Sequence, residues 1–298
     1  MSKQAHIPVL LEEVISYLDI QRKGIYLDCT IGPGGHSAEI LRRSKEAQII
    51  GFDIDEKSLM KAKKNLEDFA DRVTLYHSDF RYIPELKIDF SSVCGILLDL
   101  GLSSFQLDDP ERGFSYQKKG PLDMRMDLRN KTTASKIINK SSEKKIAQIF
   151  REFGELKQAN ILAKEIYTRR KEEEIKTTKQ LLKLTEDVCR WRPQKGKTHP
   201  AARVFQALRI EVNQELQNLD NFLIKIFKLT PKDTRTVVIS FHSLEDRIVK
   251  HTMKKCASSK LDPPLITILT KKPVTPTKKE VESNFRARSA KLRASRNL

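Results

Sequence analysis

Residues 24–37 read Gly24-Ile25-Tyr26-Leu27-Asp28-Cys29-Thr30-Ile31-Gly32-Pro33-Gly34-Gly35-His36-Ser37. A short apolar run ends in glycines, and a helical pattern follows over 35–43. Strand, glycine-rich turn and helix in that order open a doubly wound α/β sheet. Glycines at such a turn let a ligand approach the backbone, and the helix N-terminus favours an anion. A complete dinucleotide fingerprint would place a third glycine at 37, where Ser37 stands.

Working outward, 48–54, 73–79 and 92–100 read as further strands, the last apolar through its middle as central parallel strands are. Between the first two, 55–70 is helical, with Leu59, Ala62, Leu66 and Phe69 or Ala70 three or four apart. From 108 to 229 the strand pattern is missing. Helical stretches lie at 133–152, 156–171, 178–190 and 199–229, with breaks such as 171–177 and 191–198. The strand pattern returns at 236–242, helix follows at 244–255, and 265–270 and 289–295 are expected as final edge strands. Residues 271–284 read as a Lys/Pro-containing loop. The expected architecture is one α/β domain, 1–107 with 218–298, carrying an all-helical insert, 108–217.

Composition narrows the function. The 298 residues are 39% hydrophobic and 32% charged, which fits a soluble globular chain and excludes a disordered or collagen-like one. Lys and Arg number 56 against 39 Asp and Glu, a net charge of +17, which points to a polyanionic partner, most often nucleic acid. The surplus is unevenly placed: residues 1–107 are net −3, 108–217 net +9, 218–270 net +4 and 271–298 net +7. No run approaches the roughly 18 apolar residues of a membrane span, and the first residues form neither a signal-peptide core nor a myristoylation site. Cys29, Cys94, Cys189 and Cys256 are far apart, with no metal-ligand spacing. No metal and no membrane partner is expected, and scattered thiols suggest a cytoplasmic location.

Four strand ends carry chemistry. The first is the glycine turn. The second is Asp53, 21 residues past Gly32, where a carboxylate binds ribose hydroxyls. The third is Ser78-Asp79-Phe80, an acceptor for an adenine amino group with a ring to pack on it. The fourth is Asp99. Singly each is a common turn or cap. Together, at the carboxyl ends of successive strands, they define a nucleotide-like cofactor site. NAD and S-adenosylmethionine both fit the first two; the acids ending strands three and four favour S-adenosylmethionine, whose sulfonium is cationic.

The strings G-G-H-S (34–37), L-D-L-G-L-S-S-F-Q-L-D (98–108), R-G-F-S-Y (112–116), P-L-D-M-R-M-D (121–127), F-Q-A-L-R-I-E-V-N-Q-E-L (205–216), I-S-F-H-S-L-E-D-R-I-V-K (239–250) and R-A-R-S-A-K-L-R (286–293) run in order along nearly the whole chain. With them the sequence resembles the MraW family, the bacterial ribosomal RNA small subunit methyltransferases H. The resemblance implies a Rossmann-like class I S-adenosylmethionine-dependent methyltransferase sheet. It also implies N(4)-methylation of a decoding-centre cytosine in 16S rRNA, with the small ribosomal subunit as partner. It places cofactor contacts at Gly34, Gly35, His36, Asp53, Phe80, Asp99 and Gln106. The sequence departs from the family at Thr234-Arg235, at Gly154-Glu155-Leu156, and at Phe285, where Pro is usual.

A cytosine amino nitrogen is a poor nucleophile, so the enzyme must align it with the methyl and offer acceptors to its hydrogens. Backbone carbonyls near Gly101–Ser103, with Asp99 or the Ser103 hydroxyl, are the expected acceptors. Carbon-5 methylation would need a cysteine nucleophile, typically preceded by Pro, and none of the four is so placed. His242 and Arg247 follow strand five and are candidates for substrate, although Ser243 with Asp246 also reads as a near capping box. On helix 199–216 the face of His199, Arg203, Gln206, Ile210 and Asn213 lacks acids; Arg203, Gln206 and Asn213 are candidate RNA readers. Trp191, Phe114, Tyr116 and Phe105 are candidates to stack a target base flipped into a pocket between insert and sheet. Arg286, Arg288, Lys291 and Arg293 are candidates for phosphate. The competing readings are an RNA-binding assembly factor without catalysis and a nicotinamide-dependent oxidoreductase. Monomer and homodimer are equally compatible with the sequence.

Overall fold

The computed structural model describes residues 8–20, 23–192, 199–258 and 263–298. Its elements in chain order are α1 (Leu11–Leu18), β1 (Gly24–Asp28), α2 (Gly35–Arg43), β2 (Ala47–Asp53), α3 (Glu56–Asn65), β3 (Val73–His77), β4 (Val93–Asp99), α4 (Ser104–Asp108), α5 (Ala134–Lys140), α6 (Glu143–Glu152), α7 (Ala159–Arg169), α8 (Thr178–Cys189), α9 (Pro200–Asn213), α10 (Leu219–Leu229), β5 (Arg235–Ser240), α11 (Ser243–Cys256), β6 (Ile266–Ile268), α12 (Lys278–Ser283) and β7 (Lys291–Asn297). Short 3-10 turns fill several connections. Two compact units divide the chain: 1–101 with 216–298, and 102–215.

The first unit is a seven-stranded sheet in the order β3-β2-β1-β4-β5-β7-β6. Neighbours among β1–β5 are parallel, and β7 runs antiparallel to both β5 and β6. The chain order reverses between β1 and β4, so the carboxyl ends of those strands form the crevice where open α/β sheets bind ligands. Successive strand residues point to opposite faces. Tyr26, Ile49, Leu97 and Ile239 pack with Val14, Leu18, Ile40, Leu41 and Ala62 of α1–α3. Leu27, Phe52, Ile96, Leu98 and Val238 pack with Phe222, Ile226, Val249 and Met253 of α10 and α11. Both faces are covered, which explains why the central strands read as continuous apolar runs.

The second unit holds α4–α9 around one core that includes Phe114, Met124, Phe150, Leu162, Leu181, Phe205 and Leu208. Helices α5, α6 and α8 are each capped by a hydroxyl, of Thr133, Ser142 and Thr177.

Five sequence expectations change. Within the expected 271–284 loop, Lys278–Ser283 form helix α12, capped by the Thr277 hydroxyl. The stretch 133–152 is two helices, because Ser141 leaves helical geometry and Ser142 caps the next helix. The stretch 199–229 is also two, interrupted where Gln214 and Asn218 take left-handed backbone, and the halves fall in different units. Strand β7 is interior rather than an edge, since β6 covers its far side. Helix α11 is capped by His242 with Glu245, not by Ser243 with Asp246. Residues 193–198 of the expected 191–198 break lie outside the described residues.

Gly95 pairs with Tyr26 across β1 and β4. A Cβ there would stand 2.5 Å from the Tyr26 ring, which is itself buried. Gly95→Ala is expected to destabilise the first unit by about 1–3 kcal/mol through overpacking. Urea unfolding with an unchanged midpoint would contradict this.

Candidate active site

Each of the first unit's four strand-end motifs is positioned by its own hydrogen bonds. Gly34 adopts φ 86° as N-cap of α2, a left-handed conformation that glycine takes without strain. Gly35 has no room for a side chain, since a Cβ would lie 2.6 Å from Pro8. The Ser37 hydroxyl donates to the buried Asp28 carboxylate at 2.6 Å. The missing fingerprint glycine is therefore a working residue: Ser37 ties the start of α2 to the end of β1.

Asp53 closes the turn from the other side. Its Oδ2 accepts the Gly32 N–H at 2.9 Å and its Oδ1 accepts the Asp55 N–H at 2.8 Å. A carboxylate offers about four lone-pair sites, so acceptor capacity remains for ribose hydroxyls. The Asp79 carboxylate, in contrast, is held by the backbone and guanidinium of Arg81. The adenine-acceptor role expected of its side chain is already occupied. Phe80 next to it is half-buried and packs edge-on against Phe222, with ring centres 5.0 Å apart.

Asp99 ends β4. Its backbone N–H donates to the Thr30 hydroxyl at 2.7 Å. Its Oδ2 lies 3.6 Å from His36 Nδ1, while His36 Nε2 is 3.0 Å from the Val9 carbonyl. Its Oδ1 is buried and has no hydrogen-bond partner among the described residues. A buried unpartnered carboxylate oxygen is costly, and at a strand end that faces a ligand crevice it marks a place for a donor. Thr30, Ser37 and Val9 were missed by the sequence reading. Ser37 alone carried a signal, as the residue that broke the fingerprint.

Burial raises all three carboxylates. Asp28 is pushed to about 6 by desolvation, against the hydrogen bonds of Ser37 and Thr30. Asp53 is pushed to about 7 by desolvation, with the Asp55 and Gly32 amides opposing. Asp99 is pushed to about 8 by desolvation first, then by the charges of Asp28 and Glu245. Such a cluster favours a cationic guest. Cys29 is buried beside it, and desolvation drives its thiol well above the ordinary value, so it is a poor nucleophile.

At the end of β5, His242 caps α11. Its Nδ1 accepts the Glu245 N–H at 3.4 Å, and Nε2 lies 3.1 Å from Glu245 Oε1. Arg247 is exposed on the same helix. Of the four C-terminal phosphate candidates, Arg293 is buried on Asp246 at 2.7 Å and Lys291 lies 3.4 Å from that carboxylate. Those two dock the last strand, and Arg286 and Arg288 are exposed.

Within the second unit, Ser103 and Gln106 form the capping box of α4. Ser103 N–H donates to Gln106 Oε1 at 2.9 Å, and Gln106 N–H donates to the Ser103 hydroxyl at 3.3 Å. The α9 face read as a candidate RNA face is partly engaged within its own unit, with Arg203 exposed and Gln206 and Asn213 half-buried. Ile210 is buried. Arg203 donates to the Glu155 carbonyl and Gln206 to the Phe153 carbonyl, each at 3.2 Å. Asn213 donates to the Met124 and Arg209 carbonyls and accepts the Met126 N–H at 2.7 Å. Its amide is occupied by the loop 121–127, where Met124 sits at φ 63°. Arg112 holds the same loop through the Arg125 and Met126 carbonyls. The structure thus makes Asn213 an anchor of that loop. Phe114 is buried, and Tyr116 stacks on His199 with ring centres 5.2 Å apart. Trp191 meets the same His199 edge-on at 4.9 Å. Phe105 is half-buried.

The sheet order, the glycine turn and the carboxylates at successive strand ends define a Rossmann-like class I methyltransferase domain. The comparisons agree: the family model described as the MraW methylase family matches residues 3–298, and the chain belongs to that family. It is similar to the ribosomal RNA small subunit methyltransferase H of Carboxydothermus hydrogenoformans, 44% identical, covering 99% of this chain and 98% of that one. It is also similar to the protein of the same name from Caldicellulosiruptor saccharolyticus, 46% identical, covering 98% and 99% respectively. S-adenosylmethionine, the donor expected from the strand ends, is the cofactor, and the nicotinamide alternative falls. Among the described residues no helix is long and apolar enough to cross a membrane.

The raised carboxylates make a pH prediction. Their pKa values in the unfolded chain are near 3.9, so the folded state binds protons more tightly than the unfolded state. The stability they contribute is full below about pH 4 and is lost as pH rises through their folded values of about 6 to 8. Asp99→Asn removes the last of these losses. The variant's stability relative to wild type, measured without ligand by urea unfolding, should rise between pH 5 and pH 8.5. A constant difference would exclude a raised Asp99.

Proposed function

We propose that the protein transfers a methyl group from S-adenosylmethionine to N(4) of a decoding-centre cytosine in 16S rRNA, acting on the small ribosomal subunit in the cytoplasm. The observation that carries this is Asp99 Oδ1, a buried acceptor with no partner at the end of β4. An amino nucleophile needs such an acceptor while its nitrogen pyramidalises. The two relatives named methyltransferase H, matched over nearly their whole length, support rRNA as the substrate class.

The residues divide the work. Gly34 and Gly35 allow backbone to approach the cofactor, and Asp53 takes the ribose hydroxyls. Phe80 lines the adenine, while His36 and Asp99 face the methionine end, with Gln106 as a further contact implied by the family. The cofactor supplies an electrophilic methyl on a cationic sulfur. Asp99 in its carboxylate form, which a cationic sulfur beside it would favour, would orient the amino group and accept the released proton. Ser103 keeps α4 in place through its cap, and the carbonyls of Gly101–Ser103 are the remaining acceptors. The helical unit 102–215, net basic, holds RNA. Arg203 and Gln206 shape the 153–155 turn for that task and Asn213 the 121–127 loop; His242 orders the start of α11, from which Arg247 reaches phosphate.

Transfer of tritiated methyl from S-adenosylmethionine to purified small subunits tests the reading, with the modified nucleotide mapped by mass spectrometry. Wild type should label one cytosine at N(4), and Asp99→Ala should lose at least about 100-fold in rate while remaining folded. Label on another base or at carbon 5 would overturn the proposed chemistry. Binding of rRNA without transfer would favour an assembly factor.

A further inference from the structure

Residues 271–289 of the first unit hold six exposed cations, Lys271, Lys272, Lys278, Lys279, Arg286 and Arg288, against two acids, Glu280 and Glu282. Glu280 is engaged, its Oε1 accepting the Leu10 N–H at 2.7 Å. In the same segment Phe285 leaves 66% of its surface open. Large apolar rings are normally well covered.

The exposure is not fraying. Ala287 and Ala290 are buried on either side of Arg288. Val274 and Leu292 exchange two backbone hydrogen bonds, at 2.9 and 2.8 Å. Asn284 caps the turn that carries Phe285, accepting the Arg286 N–H at 3.3 Å. The ring is therefore presented by an anchored segment. The Arg288 guanidinium stands 4.6 Å from the ring centre. A ring with a guanidinium over one face, in a segment rich in exposed cations, suits single-stranded nucleic acid: the base stacks on the open face, and cations take phosphates.

We propose that Phe285, with Arg288 beside it, stacks an unpaired base of the ribosomal RNA other than the methylated one, making 271–289 a second RNA-holding surface. This rests on the reading of RNA as substrate. Charge favours RNA over a protein partner, because the chain neighbours of the ring are Asn284, Arg286, Arg288 and Ser289, with the apolar Ala287 among them buried, rather than an exposed apolar patch. The surface is also coupled to the cofactor turn: Glu280 holds Leu10, and the adjacent Val9 carbonyl holds His36.

The test compares wild type, Phe285→Ala and Phe285→Trp in methyl transfer to small subunits and in filter binding to naked 16S rRNA. Phe285→Ala should raise KM for subunits and weaken rRNA binding, each about 5- to 50-fold. It should leave kcat and the calorimetric affinity for S-adenosylhomocysteine unchanged, and Phe285→Trp should restore binding. Unchanged KM and rRNA binding in Phe285→Ala overturns the proposal. So does a raised KM with unchanged binding to naked rRNA, which would assign the ring to a ribosomal protein. Wild type that neither binds rRNA nor labels subunits would remove the RNA reading itself.

Discussion

Three carboxylates, Asp28, Asp53 and Asp99, stand at the carboxyl ends of adjacent parallel strands, and the local structure of the first unit is arranged around their burial. Ionised acids in an apolar sheet edge are unfavourable unless donors reach them. The glycine turn supplies one through Gly32 and α2 another through Ser37. His36 brings a ring nitrogen towards Asp99. The turn conformation, the entry of α2 and the choice of Ser over Gly at 37 all follow from that need. What the protein leaves undone is spare acceptor capacity on Asp53, which suits ribose hydroxyls, and one open oxygen on Asp99, which under the proposed reading would meet the substrate amino group.

The sheet was largely legible because a two-residue period and strand-end acids are local properties of sequence. Strands β1–β5 and helix α2 fall where apolar runs and the glycine turn put them. The errors have a common physical cause. Breaking 199–229 takes left-handed backbone at Gln214 and Asn218, neither of them a glycine that would have announced it. The interior place of β7 depends on β6, only three residues long. His242 rather than Ser243 caps α11, a choice decided by where β5 ends.

Site residues were legible as types more than as partners. Asp53 and Asp99 end their strands as the apolar runs predict, and His36 lies beside Asp99. The α9 face shows the limit. A face of Arg, Gln and Asn without acids reads as a nucleic-acid surface, yet in the fold those side chains satisfy carbonyls of two loops. Met124 explains why one of those anchors is needed. A non-glycine residue at φ 63° carries strain, and Asn213 with Arg112 supplies the hydrogen bonds that hold it. The distinctive string 121–127 is thus a strained loop and its sequence the means of fixing it.

Charge sorts in the same way once partners are known. The net +7 of residues 271–298 is two populations. In β7, Arg293 and Lys291 meet Asp246 and Arg296 meets Asp233, so these three cations already have acidic partners within the fold. The cations of 271–289 are exposed, and one of them, Arg288, lies over an open aromatic ring. A formal charge on the sequence cannot distinguish a buried ion pair from a phosphate site; exposure and pairing do. By that criterion Arg293 serves the fold, and the exposed Phe285 with Arg288 over its ring is the place in this segment where the proposed RNA contact rests.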